Sequence, residues 1–233
     1  MYSNMPNGGL ILAVDGPSGT GKSTTCRALA KQLDAKYVDT GAMYRVATLA
    51  VLRAGVDPSD VARVIEATAD LPLEVSEDPD STSVLLAGED VSRVIREDEV
   101  TRNVSAVSAI PEVRENLVNL QRKLAHEAHR AVVEGRDIGT VVLPQAPAKA
   151  YMTASAEVRA QRRYDQNVAA GIPADFDTVL RDVIRRDEAD STRETSPLRP
   201  AEDAVIVDTS SMSPAEVLNA LIDIVKESVH VQS

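Results

Sequence analysis

The chain has 233 residues, 43% of them hydrophobic, and a formal net charge of −11; that length is near the upper end for one core, so a single domain with insertions is expected. The acidic balance disfavours a general nucleic-acid or anionic-membrane surface, because such partners are held by unbalanced Lys and Arg. A lone cysteine, Cys26, excludes an internal disulfide and reads as a small buried side chain in a reducing compartment.

The opening segment MYSNMPNGG has neither the basic nor the apolar stretch of a leader, and no run reaches the roughly 20 apolar residues of a membrane span. A soluble, unprocessed, cytoplasmic protein is expected. Leu10-Ile11-Leu12-Ala13-Val14 then reads as a buried strand. It runs into Asp15-Gly16-Pro17-Ser18-Gly19-Thr20-Gly21-Lys22-Ser23, which fits the phosphate-binding pattern G-x-x-x-x-G-K-S/T between a strand and a helix. Glycines let the backbone turn its N–H groups toward phosphate oxygens, Lys22 adds a point charge, and Ser23 offers a hydroxyl to a nucleotide-bound Mg²⁺. The stretch from Gly16 to Thr24 is therefore the candidate nucleoside-triphosphate site.

Thr24 to Leu33 has helical spacing, Tyr37-Val38 is a short strand ending at Asp39-Thr40-Gly41, and Gly41 to Ala54 forms a helix with Met43, Val46, Ala47, Ala50 and Val51 inward. Asp57-Pro58-Ser59-Asp60 reads as the N-cap, first-turn proline and early acid of a further helix. From Leu71 the period falls to two, which predicts a small antiparallel subdomain at about residues 67–96. Pro111 to about Arg130 is a long helix with Val113, Leu117, Leu120 and Leu124 as its stripe. His126 and His129 lie on it among polar neighbours, an exposed structural setting with no third ligand spaced for zinc. Ala131-Val132-Val133-Glu134 is a strand that ends at Gly135-Arg136-Asp137, a dense charge beside a buried run, which marks a functional loop. Lys149 to Thr153 and Ala204 to Val207 are further strands, and Ser213-Pro214-Ala215-Glu216 is a capping box for the last helix. Buried strands alternating with helices make a parallel α/β sheet, with ligands expected beyond the carboxyl ends of the strands.

Only six of the 25 basic residues are lysine, and residues 159–193 hold seven arginines and no lysine. Guanidinium forks suit phosphate, although seven acids in the same window equally allow a salt-bridged helical surface for Arg159, Arg162 and Arg163. Arg186, Asp190 and Arg193, at intervals of four and three, share a face if the helix continues; surface pairing explains that spacing as well.

Four words together, Asp15 to Ser23, Asp39-Thr40-Gly41-Ala42-Met43-Tyr44-Arg45, Glu134-Gly135-Arg136-Asp137-Ile138-Gly139-Thr140 and Arg186-Asp187-Glu188-Ala189-Asp190-Ser191-Thr192-Arg193, resemble the bacterial cytidylate kinases. The likeness runs in order from about Leu10 to Val225 and includes the antiparallel insert. It implies a P-loop NTPase fold: a five-stranded parallel core (about 8–66, 97–160 and 194–229), a monophosphate-binding insert (about 67–96) and a helical lid (about 161–193), in one domain spanning 1–233. It implies ATP with Mg²⁺ on Gly16 to Thr24, the metal touching Ser23, and transfer to CMP or dCMP by a monomer. Catalytic roles fall to Lys22, Arg136, Arg186 and Arg193. Arg45, Arg136 and Arg193 take the acceptor phosphate, Ser105, Arg114 and Asp137 the cytosine with Thr40 near them, and Arg186 and Asp190 the ribose. A carboxylate such as Asp137 can accept from the N4 amine of cytosine, and uracil would present an oxygen there, a mismatch of about 1–3 kcal/mol. The segment from about Gln161 to Asp190 would close as a lid, with Arg159, Arg162, Arg163 and Arg185 as candidates to touch the transferring group. A kinase of another small acceptor, a GTP-dependent switch and a purely structural nucleotide module are the alternatives. The switch lacks both D-x-x-G after a strand and N/T-K-x-D.

Overall fold

The computed structural model describes residues 9–231; the first eight residues of the opening segment read above for a leader, and the last two residues of the chain, lie outside them. Strand β1 (Leu10–Asp15) leads through the glycine-rich loop to α1 (Lys22–Leu33), then β2 (Lys36–Asp39) and α2 (Thr40–Arg53). Asp39 caps α2, its Oδ1 accepting from Ala42 N at 3.0 Å. Helix α3 (Val61–Thr68) starts later than the Asp57-Pro58 reading placed it: Asp60 is the cap, accepting from Arg63 N, while Asp57 closes a tight turn on Ser59. A turn built on an aspartate side chain competes with the helix for the same backbone, and here it wins by three residues.

Strands β3 (Leu73–Val75), β4 (Val84–Leu86) and β5 (Glu89–Asp90) form the antiparallel insert, followed by a 3₁₀ turn at Val94–Arg96 and helix α4 (Asp98–Ser108). The insert is not free-standing, because Val84, Leu86, Val91, Ile95 and Val100 pack on Ala42, Val46 and Leu49 of α2. Its turn is also tied to the core: Tyr37 N donates to Glu77 O at 2.8 Å, and Arg27 donates to the carbonyls of Pro79 and Ser81.

Helix α5 (Pro111–Glu127) stops short of the expected Arg130 because Ala128 is extended (φ −81, ψ 131) and Arg130 already belongs to β6 (Arg130–Gly135). His129 therefore lies beyond the helix, and both histidines are exposed. A π-helical turn, Ile138–Val142, separates β6 from β7 (Ala148–Thr153). Helices α6 (Ala156–Ala169) and α7 (Phe176–Thr192) form an antiparallel pair that turns at Gly171 (φ 70), and β8 (Val205–Asp208) and α8 (Pro214–Val231) complete the chain. The capping box closes as read: Ser213 N donates to Glu216 Oε2 at 2.7 Å, and Glu216 N donates to Ser213 Oγ at 3.3 Å.

The large sheet has the order β2-β6-β1-β7-β8, every pair parallel. Alternation along the strands serves both faces. Ala13, Val38, Ala131 and Val133 meet α2, α3 and α5, whereas Leu12, Val14, Tyr37, Val132 and Met152 meet α1 and α8. The register sets Asp15 opposite Gly135 and Asp39 opposite Glu134, so the charged strand ends emerge side by side. Among the described residues no helix is long and apolar enough to cross a membrane.

Candidate active site

The phosphate loop is shaped by backbone that only glycine adopts comfortably at two of its turns. Gly16 has φ 142, and a Cβ there would stand 1.9 Å from Met152 O; Gly21 has φ 92 and precedes α1 as its N-cap. The first amides of α1 thus face the hollow without side-chain caps, a site made for an anion. Lys22 folds back over the loop, its Nζ donating to Gly16 O at 2.6 Å and Pro17 O at 2.7 Å. Burial above all, then the charge of Arg136, pulls its ammonium down to about 7. A polyphosphate arriving there would reverse that shift.

One cavity of about 360 Å³ spans the space between this loop and the charged strand ends. Ser18, Gly19, Gly21, Lys22, Ser23 and Thr24 line its loop side. Gly16, Pro17 and Thr20 do not: the first two supply carbonyls to Lys22, and Thr20 is buried with its hydroxyl on Pro17 O. On the opposite wall stand Thr40, Arg45, Ser105, Arg114, Arg136, Asp137, Arg186, Asp190 and Arg193. Residues read from three separate words of the sequence, together with Ser105 and Arg114, are therefore brought into one hollow with Lys22.

All but Arg186 have a hydrogen-bond partner that orients them. Arg45 donates to Ile95 O and Thr101 Oγ1, both at 2.8 Å, and thereby depends on the insert and α4. Arg114 and Asp137 form a buried ion pair, and Arg114 also donates to Ser108 O at 3.1 Å. Its guanidinium lies over the Tyr44 ring, 5.1 Å from the centroid. Arg136 Nε donates to Asp190 Oδ2 at 3.1 Å, and Ser105 Oγ donates to Asp190 Oδ1 at 3.4 Å. Thr40 spends its hydroxyl proton on Glu134 O at 2.7 Å. Arg193 does not share a helix with Arg186 and Asp190, because α7 ends at Thr192; it is extended (φ −60, ψ 141), and its Nε donates to Ser196 O at 2.6 Å. The spacing of four and three still points all three inward.

These arginines crowd one another. Burial, then Arg186 and Arg96, pushes Arg45 down to about 9, and burial, then Arg136, pushes Arg186 down to about 10. Arg186 Nε and Arg193 Nη2 are buried with no hydrogen-bond partner. Guanidinium groups that repel each other and retain unused donors are relieved by an anion set among them.

The four arginines named as candidates for the transferring group stand outside the cavity. Arg159 is buried, paired with Asp187 and donating to Ala154 O and Ser18 O, so it braces α6 and α7 against the loop. Arg162 donates to Thr209 O at 2.6 Å and to Gly19 O at 3.3 Å, and Arg185 pairs with Asp182 at the surface. None of Arg159, Arg162, Arg163 and Arg185 lines the cavity; from the helical pair, Gln166, Arg186 and Asp190 do.

A family model described as Cytidylate kinase matches residues 12–227. The chain belongs to the cytidylate kinase family. A cytidylate kinase of Corynebacterium efficiens is 70% identical over 224 residues, covering 96% of this chain and 97% of that one. One of Corynebacterium diphtheriae is 63% identical over the same shares. Among solved structures, a gluconokinase from Sinorhizobium meliloti superposes with a TM-score of 0.51 at 15% identity, covering 97% of this chain and 96% of that one, a likeness of fold alone. The architecture is that of a P-loop kinase, as the resemblance implied, and the chain is a nucleoside monophosphate kinase.

Three groups in this cytidylate-kinase site were given no role from the sequence. Glu134, buried at the end of β6, accepts from Ser23 Oγ and Tyr37 OH on Oε1, both at 2.6 Å, and its Oε2 is buried without a partner. Burial pushes its carboxyl up. Asp15 accepts two amides of the π-helical turn, and Tyr44 lies beneath Arg114. The signal for Glu134 was its position, a lone acid closing an apolar strand one residue before the charged loop.

Proposed function

We propose that the chain transfers the γ-phosphoryl group of ATP to CMP, and to dCMP, giving CDP or dCDP and ADP. The observation that carries this reading is the single cavity with two anion cradles, loop amides and Lys22 on one side and the guanidinium groups of Arg45, Arg136, Arg186 and Arg193 on the other. ATP occupies Gly16 to Thr24. The acceptor phosphate lies among Arg45, Arg136 and Arg193, the ribose against Arg186 and Asp190, and cytosine against Ser105, Arg114 and Asp137, with Thr40 behind. Asp137 offers a carboxylate to the N4 amine, and Arg114 offers N–H groups to the ring acceptors. Transfer needs alignment and charge compensation more than covalent chemistry, so the arginines act by holding both phosphates in line and neutralising the moving group.

Mg²⁺ is expected with ATP, and the residues fit it. Ser23 Oγ and the unpartnered buried Glu134 Oε2 are hard oxygen donors at the mouth of the loop. When bound, the ion supplies charge compensation on the β- and γ-phosphates.

The same reading assigns residues of about 8–66, 97–160 and 194–229 to the core, 67–96 to the acceptor-binding insert and 161–193 to the lid. It takes the protein to be a cytoplasmic monomer in pyrimidine nucleotide metabolism. The test is an acceptor screen with ATP and each common nucleoside and deoxynucleoside monophosphate. Fast turnover of CMP and dCMP with slower UMP is expected; equal rates with AMP, UMP and CMP would sink the assignment.

A further inference from the structure

Ladder pairing between β1 and β6 ends at Asp15 opposite Gly135, so Arg136 and Asp137 leave the sheet with no strand to hold them. They run into the π-helical turn Ile138–Val142, and the first amides of any helical turn lack partners within it. Asp137 stands in the capping position but makes no side-chain cap, because its carboxylate is turned to Arg114. Asp15 supplies the missing acceptors from the neighbouring strand. Its Oδ1 accepts from Ile138 N at 2.7 Å and its Oδ2 from Gly139 N at 2.8 Å.

We propose that Asp15 is a positioning residue for phosphoryl transfer: by capping the turn in place of Asp137, it frees that carboxylate for the acceptor base and fixes Arg136 and Asp137 relative to Lys22. The proposal rests on the site being that of a CMP kinase. Both ends of the bridge are tight. Asp15 adjoins Gly16, whose carbonyl accepts from Lys22 and whose own position is fixed by Met152 O, which a Cβ would approach to 1.9 Å. At the far end, a Cβ on Gly139 would lie 3.1 Å from Lys149 Cδ and 3.4 Å from Asp15 Oδ2.

The chemistry requires an acid rather than any polar side chain. Two convergent amides need two acceptor oxygens, whereas Asn would set an NH₂ donor against one of them. A buried carboxylate is also poorly suited to a place near polyphosphate. Only 3% of Asp15 is exposed, and burial pushes it up to about 6 despite the opposing pull of the two amides. Its charge opposes ligand binding, so its benefit is the geometry of the turn.

The test uses the full chain and Asp15→Asn, with ATP and CMP both varied, binding of each measured by calorimetry and melting recorded. CMP turnover by the parent examines the functional reading alone; the role of Asp15 is read from the ratio of variant to parent. Expected are about a tenfold or larger fall in kcat, a similar rise in KM for CMP, a reduced preference for CMP over UMP, and an ATP Kd within about twofold of the parent. Parameters all within about twofold of the parent, or equal weakening of ATP and CMP, would overturn the proposal. If the Asn variant does not fold, Asp15→Ser keeps one acceptor oxygen in a smaller volume and carries the same expectation. Failure of both variants to fold would make Asp15 a purely structural residue and overturn the proposal too.

Discussion

Arg193 shows how one side chain joins backbone to site. Its Nε is spent on Ser196 O, which orients the guanidinium, and Nη2 is left buried and unpartnered in a residue that lines the cavity. Arg193→Ala removes one of the guanidinium groups that would compensate the acceptor phosphate, so turnover of CMP falls at least about a hundredfold, as steady-state kinetics would record. Asp190 carries a pH signature. Burial alone would raise its carboxyl, but Arg136, Arg186 and Arg193 together outweigh burial and hold it below the usual 3.8. A folded value below the unfolded one makes the ionised acid stabilising. That contribution is complete above about 4 and disappears as pH falls through the depressed folded value. Asp190→Asn is therefore less stable than the parent at pH 7, and the gap in melting temperature closes as the pH is lowered below about 4. A gap that stays constant with pH would remove the arginine cluster as its cause.

The insert and α4 act on chemistry they do not touch. Leu86 packs with Val84 and Ile95 against α2, and Ile95 O and Thr101 Oγ1 hold Arg45. Leu86→Ala leaves a cavity worth about 2 kcal/mol or more and loosens that hold. The measurable result is a higher KM for CMP with the KM for ATP unchanged; a rise in both would deny the link. The insert was legible because its alternation of Leu71, Leu73 and Val75 differs from the unbroken apolar strands around it. Helix α4 has no reading from the sequence although Val100, Val104 and Val107 form its buried stripe, because three apolar positions over eight residues carry little signal among polar neighbours. The start of α3 and the end of α5 differ from the sequence pattern for a shared reason. Helix limits are set by hydrogen bonds between specific side chains and amides, as at Asp60, and by single extended residues such as Ala128, and neither leaves a period in the sequence.

Across the molecule, sheet order is what makes the site. With β1 between β6 and β7 and all strands parallel, the glycine loop and the Gly135-Arg136-Asp137 loop have to emerge side by side. That much followed from strands alternating with helices and from charged words placed at strand ends. The roles of Glu134, Asp15 and Tyr44 did not follow, since each depends on a partner many residues away. On the proposed function both substrates share the one cavity and the acceptor phosphate itself is the nucleophile, so ATP and CMP must be bound together. Double-reciprocal plots at several fixed CMP concentrations therefore intersect; parallel lines would signal a phosphorylated enzyme intermediate.

Lys22 grips the carbonyls of its own loop. A visitor has to pull that ammonium outward while also filling the amides beneath it. A triphosphate tail, with oxygens spread along its length, can accept from the ammonium and from the amides together, so a single flexible anion serves both sets of donors.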